Sequence, residues 1–241
     1  QVIASVVPKD RMTPVPVSNI RVADIQAASL NVEFPELVKS TPSTYTTKGS
    51  GGFGDGRTNV RGFDTYNFGV LINGVPVNGM EDGKVYWSNW SGLMNQASTI
   101  QIQRGLGASK LGISSVGGTM NIITKTTDAN TGGSAYVGMG NDGLHKESFS
   151  ISTGMNDGWA ITIAGSHITG LGYVKGLKGR AFSYFFNVSK KFNERHTLSL
   201  TGFGAPQWHN QRSSKYSVAD YDKYGIRHNQ SFGYLRGELT P

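Results

Sequence analysis

Hydrophobic and polar residues follow two different rhythms along this 241-residue chain, and the change falls near residue 128. Beyond it they alternate one by one. Phe149 and Ile151 interleave with Ser148, Ser150 and Ser152, and Trp159, Ile161 and Ile163 with Ala160, Thr162 and Ala164. Phe182, Tyr184, Phe186 and Val188 interleave with Ser183, Phe185, Asn187 and Ser189, and Leu198 and Leu200 with Ser199 and Thr201. Successive side chains of a strand point to opposite faces, so this period predicts roughly six strands with two unlike faces. Asn156-Asp-Gly158 and Asn193-Glu-Arg195 read as turns between them. One face is apolar and aromatic, the other Ser, Thr, Gly and Asn. A soluble sandwich with a wet outer face has this dress; so does a transmembrane barrel with lipid outside and a polar lumen. Alternation alone does not choose between them, although Tyr136, Trp159, Tyr173, Tyr184 and Trp208 near strand ends fit an interfacial girdle.

Before residue 128 no single rhythm dominates. Val2, Ile3, Val6 and Val7 form a short apolar run, and Pro8, Pro14 and Pro16 then exclude a helix, so residues 1–17 read as an extended arm. Val22–Ser40 has room for two short helices, one around Asp24, Ile25 and Ala28, the other starting at Phe34-Pro35. Thr44–Thr47, Thr58–Arg61, Phe68–Pro76, Ser98–Arg104 and Met120–Lys125 read as strands, the third broken by the turn pair Asn73-Gly74. Gly49–Gly56 is a glycine-rich loop, and Ala108–Ile113 has the length of one helical turn. Residues 18–127 are therefore expected to form a small α+β domain.

Composition works mainly by exclusion. Charged residues make up 16%, against roughly 25% in ordinary soluble domains. The net charge of +7 is spread evenly: 11 basic and 8 acidic residues up to Thr127 (+3), 12 and 8 after it (+4). Without a dense basic stripe, nucleic acid is not an expected partner. The absence of cysteine removes disulfide scaffolds, thiolate metal sites and a cysteine nucleophile. No run of about 18 apolar residues predicts a membrane helix, which leaves barrel strands untouched. No signal peptide is visible at Gln1, as expected of a mature or trimmed terminus. His145, His167, His196, His209 and His228 are scattered without ligand spacing, so no metal is expected. Gly105–Lys110 lacks the spacing of either phosphate-loop fingerprint, and there is no Gly-x-Ser-x-Gly elbow. No catalytic residue and no cofactor emerge, and the chain is not read as an enzyme.

Four linked segments carry a more specific signal: Asn59-Val-Arg-Gly-Phe63, Val70-Leu-Ile-Asn-Gly-Val-Pro-Val77, Ile100-Gln-Ile-Gln-Arg-Gly105, and Gly107-Ala-Ser-Lys-Leu-Gly112 leading into Ser115-Val-Gly-Gly-Thr-Met-Asn-Ile-Ile-Thr-Lys125. Their order and spacing resemble the plug domain of TonB-dependent outer-membrane receptors. The departures are small: Asn73 stands where Asp is usual, and Gln103 and Leu106 replace the commoner Leu and Pro. The resemblance covers residues 2–127 well and residues 128–241 only as generic barrel strands. It implies an α+β plug domain followed by antiparallel transmembrane β-barrel strands, the barrel being incomplete in this chain. The family's barrel has about 22 strands around a plugged lumen, and bare strand edges are not viable in lipid. The implied domains are an arm with a TonB-box-like region (1–17), the plug (18–127) and the first barrel strands (128–241).

The resemblance also implies roles for single residues. Arg61 and Arg104, in the two Arg-Gly pairs, would anchor the plug to glutamates of the inner barrel wall, where a planar guanidinium suits a buried carboxylate. The plain alternative is a surface arginine at a strand end. Gly62, Gly105, Gly117 and Gly118 would serve turns or close backbone approach. Val2, Ile3, Ala4, Ser5 and Val6 correspond to the TonB box, which TonB of the inner-membrane energising complex pairs with by strand addition, unless the true box precedes Gln1. The Gly49–Arg57 and Met80–Leu93 loops would face outside, with Phe53, Asp55, Arg57, Glu81, Lys84, Tyr86, Trp87 and Trp90 as candidate ligand contacts. Trp87 and Trp90 equally suit packing inside the plug or against the barrel, and Tyr86–Trp90 suits the start of a short helix.

The implied function is active import of a scarce nutrient (an iron chelate such as a siderophore, haem or a cofactor) across the outer membrane of a Gram-negative bacterium. The implied partners are TonB, a small-molecule nutrient and the lipid bilayer. Glycan import with a surface lipoprotein is the alternative within the family, although Gly107-Ala-Ser-Lys stands where glycan importers carry an Asp-Ala-Ser-Ala run. A soluble β-rich adhesin is the alternative from another class.

Overall fold

The computed structural model of the chain describes residues 17–21, 25, 34–48, 54, 56–105, 116–125, 130–212 and 216–229. The first half contributes strands β1 (Val17–Arg21), β2 (Thr44–Thr47), β3 (Arg57–Val60), β4 (Phe68–Ile72), β5 (Val75–Pro76), β6 (Ala97–Arg104) and β7 (Gly118–Thr124). Five of them form a mixed sheet in the order β1-β6-β7-β4-β5, and β2 pairs with β3 as a separate ribbon. All pairings in the five-stranded sheet are antiparallel except β4 with β7.

Val70, Ile100, Ile102, Met120 and Ile122 are fully buried at the centre of that sheet. A short helix, Phe34–Leu37, begins with Pro35 in its first turn and buries Phe34 and Leu37 against this core. Ile25 is helical and buried, as the first predicted helix requires at that position. The strand expected at Thr58–Arg61 ends one residue early, because Arg61 turns the chain with φ 54° while Val60 and Phe63 exchange backbone hydrogen bonds. The turn expected at Asn73-Gly74 is present, with φ 50° and 80°. The Ala108–Ile113 segment lies outside the described residues.

The second half is an antiparallel sheet of β8 (Gly132–Met139), β9 (His145–Ser152), β10 (Trp159–Gly170), β11 (Gly179–Lys191), β12 (Thr197–Gly204) and β13 (Gln207–His209). Each strand from β8 to β12 pairs with its neighbour in sequence. β12 and β13 both pair with β11 in one unbroken register, Tyr184 opposite Gly204 and Ala181 opposite Gln207. Pro206 interrupts the ladder because it has no N–H to donate, although its carbonyl still accepts from Phe182 N at 2.9 Å. Among the described residues the sheet does not close on itself.

The faces of this sheet decide between the two architectures that alternation left open. Thr162 and Asn187 are buried at 1% and 0% exposure, while their neighbours Ile163 and Leu200 are exposed at 52% and 64%. Apolar side chains thus face out and polar ones face in, the reverse of a water-soluble sandwich and the arrangement of a barrel wall. Several of the buried polar groups satisfy one another: Asn187 Nδ2 donates to Thr201 Oγ1 at 2.7 Å, and Ser189 Oγ donates to Asn187 Oδ1 at 2.8 Å. One girdle assignment is corrected. Tyr136 pairs with Ser148 and shares the inner face with Lys146, whose Nζ lies 5.9 Å from the ring centroid. The register of β8 against β9 sets that orientation, which a single aromatic near a strand end does not disclose.

Candidate functional site

Among the described residues, the first half meets the second through residues 89–96. Two 3-10 turns, Trp87–Trp90 and Leu93–Gln96, follow the loop that links β5 to β6. Trp87 turns inward, is 4% exposed, and stacks on Phe34 with ring centroids 4.2 Å apart. Trp90 turns the other way and stacks on Phe203 of β12 at 5.8 Å. Between them Asn89 Oδ1 accepts from Gln207 Nε2 at 2.9 Å. Gly92 then passes so close to the wall that a Cβ there would overlap the Ser183 hydroxyl, itself 2.5 Å from that of Ser166.

Asn95 receives two lysines. Lys146 of β9 donates to its side-chain Oδ1 at 3.4 Å, and Lys125, just after β7, donates to its backbone carbonyl at 3.5 Å. Burial pushes the Lys125 ammonium below the usual lysine range. Ser150 Oγ donates to Gln96 Oε1 at 3.4 Å.

Asn78 organises the loop before this segment. Its Oδ1 accepts from Val70 N at 2.8 Å, and its Nδ2 faces the carbonyls of Thr65, Phe68 and Gly83 at 3.2, 3.1 and 2.9 Å. The loop beyond it is closed by Lys84 N donating to Asp82 Oδ1 at 3.0 Å and by Tyr86 OH donating to Asp82 Oδ2 at 2.7 Å. The Tyr86 hydroxyl, and after it the Lys84 amide, hold the Asp82 carboxyl below the usual carboxylate range. The same bond pushes the Tyr86 phenol up. Met80, Glu81 and Tyr86 project into solvent.

The two Arg-Gly pairs interlock. The Arg61 guanidinium occupies the space a Cβ on Gly105 would need, and Arg61 N donates to Ser43 O at 2.7 Å. Arg104 Nη1 donates to Pro42 O at 3.3 Å, so both arginines reach the same 42–43 turn. Among the described residues neither forms an ion pair, and Arg104 Nε is buried without a partner.

Residues 9–119 match the family model of the TonB-dependent receptor plug domain. The chain carries a plug domain of this family. The vitamin B12 transporter of Vibrio vulnificus is 22% identical over 229 residues, which cover 90% of this chain and 34% of that protein. The ferric enterobactin receptor of Pseudomonas aeruginosa is 29% identical over 133 residues, 50% of this chain and 18% of that protein. The chain thus spans about a third or less of the length of these relatives. Among solved structures, the ferripyoverdine receptor of the Pseudomonas aeruginosa outer membrane superposes with a TM-score of 0.65 at 16% identity, covering 80% of this chain and 25% of that one. The ferric-catecholate import receptor of Escherichia coli K12 superposes with a TM-score of 0.62 at 16% identity, covering 82% and 28%. These likenesses establish the fold: a plug followed by antiparallel strands of a barrel that is incomplete in this chain.

Around this plug domain the candidate ligand residues separate. Glu81, Lys84 and Tyr86 are exposed on the plug loop, and Arg57 is exposed at the start of β3. Trp87 belongs to the plug core and Trp90 to the plug–wall contact, so packing describes both better than ligand contact. Phe53 and Asp55 lie outside the described residues, as do Val2, Ile3, Ala4, Ser5 and Val6 of the arm. Asn78, Asn95 and Gln96 were not singled out from sequence, because an isolated amide has no spacing signature.

The loops at one end of the second sheet are fastened together. Arg227 pairs with Asp142 and donates through Nε to Tyr173 O at 2.7 Å, and Asn229 Nδ2 donates to Lys175 O at 2.9 Å. Residues from the 140–144, 171–178 and 210–229 connections thereby form one unit. Within it a helix, Val218–Tyr224, starts on a Ser217–Asp220 capping box.

Proposed function

We propose that the full-length protein is an outer-membrane importer of a scarce nutrient, an iron chelate, haem or cofactor, energised by TonB, with the plug gating the barrel. The observation that carries this reading is the orientation of the second sheet, apolar side out and polar side against a plug. A wall dressed in this way belongs in lipid around an aqueous lumen, and a plug in the lumen makes passage conditional on its movement. The vitamin B12, ferric enterobactin and ferripyoverdine proteins among its relatives support a chelate or cofactor as cargo.

In this reading Arg57, Glu81, Lys84 and Tyr86 meet the ligand on the outer side, and the 1–17 arm is the segment TonB captures. Ligand and TonB act on one plug equilibrium, so their effects on each other are reciprocal. No chemistry is performed on the cargo, and no cofactor takes part.

A deletion strain grown with ferric enterobactin, haem, cyanocobalamin or glycans as limiting nutrients tests the proposal. Loss of growth on one of the first three is expected. Loss confined to a glycan would replace this reading with glycan import and would call for a search for a surface lipoprotein. A full-length protein that is monodisperse in water without detergent would overturn the membrane reading altogether.

A further inference from the structure

We propose that residues 92–96 are the seam at which the plug parts from the wall, and that Asn95 keeps this seam releasable by setting an uncharged amide against Lys146 of the wall. Lys146 of the wall donates to the side-chain Oδ1 of Asn95 at 3.4 Å, while Lys125 of the plug donates to its backbone carbonyl at 3.5 Å. A carboxylate in this place would pair with the Lys146 ammonium and tie plug to barrel through a partly buried charge pair in place of a neutral amide contact. The amide is not retained for its donor: Asn95 Nδ2 is buried and has no hydrogen-bond partner among the described residues. An aspartate would therefore lose no bond that asparagine makes.

The rest of the seam has the same neutral character. Gln96 meets Ser150 through an amide and a hydroxyl, and Gly92 lies on the Ser166 and Ser183 hydroxyls. Such contacts exchange readily for water, because each contributes only modestly once solvent competes. Residues 92–96 thus contribute no carboxylate of their own against Lys146.

The inference rests on the importer reading only for its consequence, so the test has a part that does not depend on transport. Amide hydrogen exchange of residues 92–96 is compared in full-length wild type, Asn95→Asp, and Asn95→Asp with Lys146→Gln, in detergent at neutral pH. Asn95→Asp is expected to slow exchange there by about tenfold, as a partly buried ion pair would, and removal of Lys146 to restore it. Asn95→Ser controls for the loss of the side chain and should exchange as fast as wild type or faster. Unchanged or faster exchange in Asn95→Asp would overturn the proposal.

Uptake of ferric enterobactin and of cyanocobalamin is then measured in energised cells. The aspartate variant should bind whichever probe the wild type transports and import it at least several-fold more slowly. Slowed exchange with wild-type import would show that the seam does not gate and would also overturn the proposal. Failure of the wild type to import any probe would count against the importer reading alone, because the exchange comparison stands without it.

Discussion

The Arg61 guanidinium lies where a β-carbon on Gly105 would have to be, so the first Arg-Gly pair of the plug closes over the second. Gly105 has φ 87°, a conformation that a side chain would strain even without the arginine. Gly105→Ala should therefore destabilise the plug by about 1–3 kcal/mol. The measurement is the urea midpoint of the full-length protein in lipid vesicles. Adding Arg61→Ala should recover only the steric share, leaving the backbone strain. An unchanged midpoint in Gly105→Ala would remove the interlock from the account.

Asn78 donates to as many as three carbonyls and accepts from one amide. Asn78→Asp keeps the shape and sets a carboxylate against Thr65 O, Phe68 O and Gly83 O. It should be the worse substitution, costing about 3 kcal/mol or more, whereas Asn78→Ala should cost about 2 kcal/mol. The ranking is the diagnostic, read from hydrogen exchange of residues 79–86. An aspartate variant as stable as wild type would mean that the amide does not hold the loop.

Ile163 and Thr162 are neighbours on β10 that face opposite ways. Ile163→Arg should destabilise the folded protein in a bilayer by about 2–4 kcal/mol, since it sets a charge against hydrocarbon near the middle of the outward band. On a soluble sheet the same exposed position would tolerate arginine almost freely. Refolding yield into phospholipid vesicles distinguishes the two, and normal yield would contradict the lipid-facing assignment.

Tyr86 hydrogen-bonds Asp82 at 2.7 Å and is the chief cause of its lowered pKa. A lowered folded-state value means that this contact contributes above the ordinary carboxylate range. The contribution is lost as pH falls through the lower, folded value. Tyr86→Phe should move the Asp82 titration back up toward the ordinary range, as followed by carboxyl carbon NMR. An unmoved titration would assign the shift to the Lys84 amide instead.

Trp87 and Tyr86 are adjacent in sequence and opposite in role. Trp87→Ala empties the space against Phe34 and should cost about 3–5 kcal/mol, with the plug fold at risk. Tyr86→Ala, like Glu81→Ala and Lys84→Ala, should leave urea stability nearly unchanged and weaken binding of the imported ligand. Titration of that ligand onto each folded variant checks the second half, and wild-type affinity in all three would place the ligand elsewhere.

Much of the fold is legible in the residues themselves. The turn at Asn73-Gly74 needs only those two residues and a strand on each side, so local preference suffices to specify it. Period-2 alternation in β9 to β12 survives intact because each strand carries its own two faces. The order of the Arg-Gly, Asn-Gly and Gly-Gly segments identifies the plug before any coordinate is known. Arg61 shows where this stops: a residue that reads as the end of a strand takes positive φ, and its guanidinium lies against Gly105, more than forty positions away.

By itself, then, the amino-acid sequence determined most of the strands, their order, the resemblance to the plug family and the existence of two unlike faces on the second sheet, whereas β1 and the Val218–Tyr224 helix emerge only in the structure. The tertiary structure alone decided which face meets the plug, which of Trp87 and Trp90 turns to the core, and that Tyr136 points inward with Lys146. It also brought Asn95 between Lys125 and Lys146, residues thirty and fifty-one positions away. The reason is physical. Propensity and alternation are properties of a few consecutive residues, whereas burial is a property of two surfaces in contact, and those surfaces come from segments that the chain brings together only on folding.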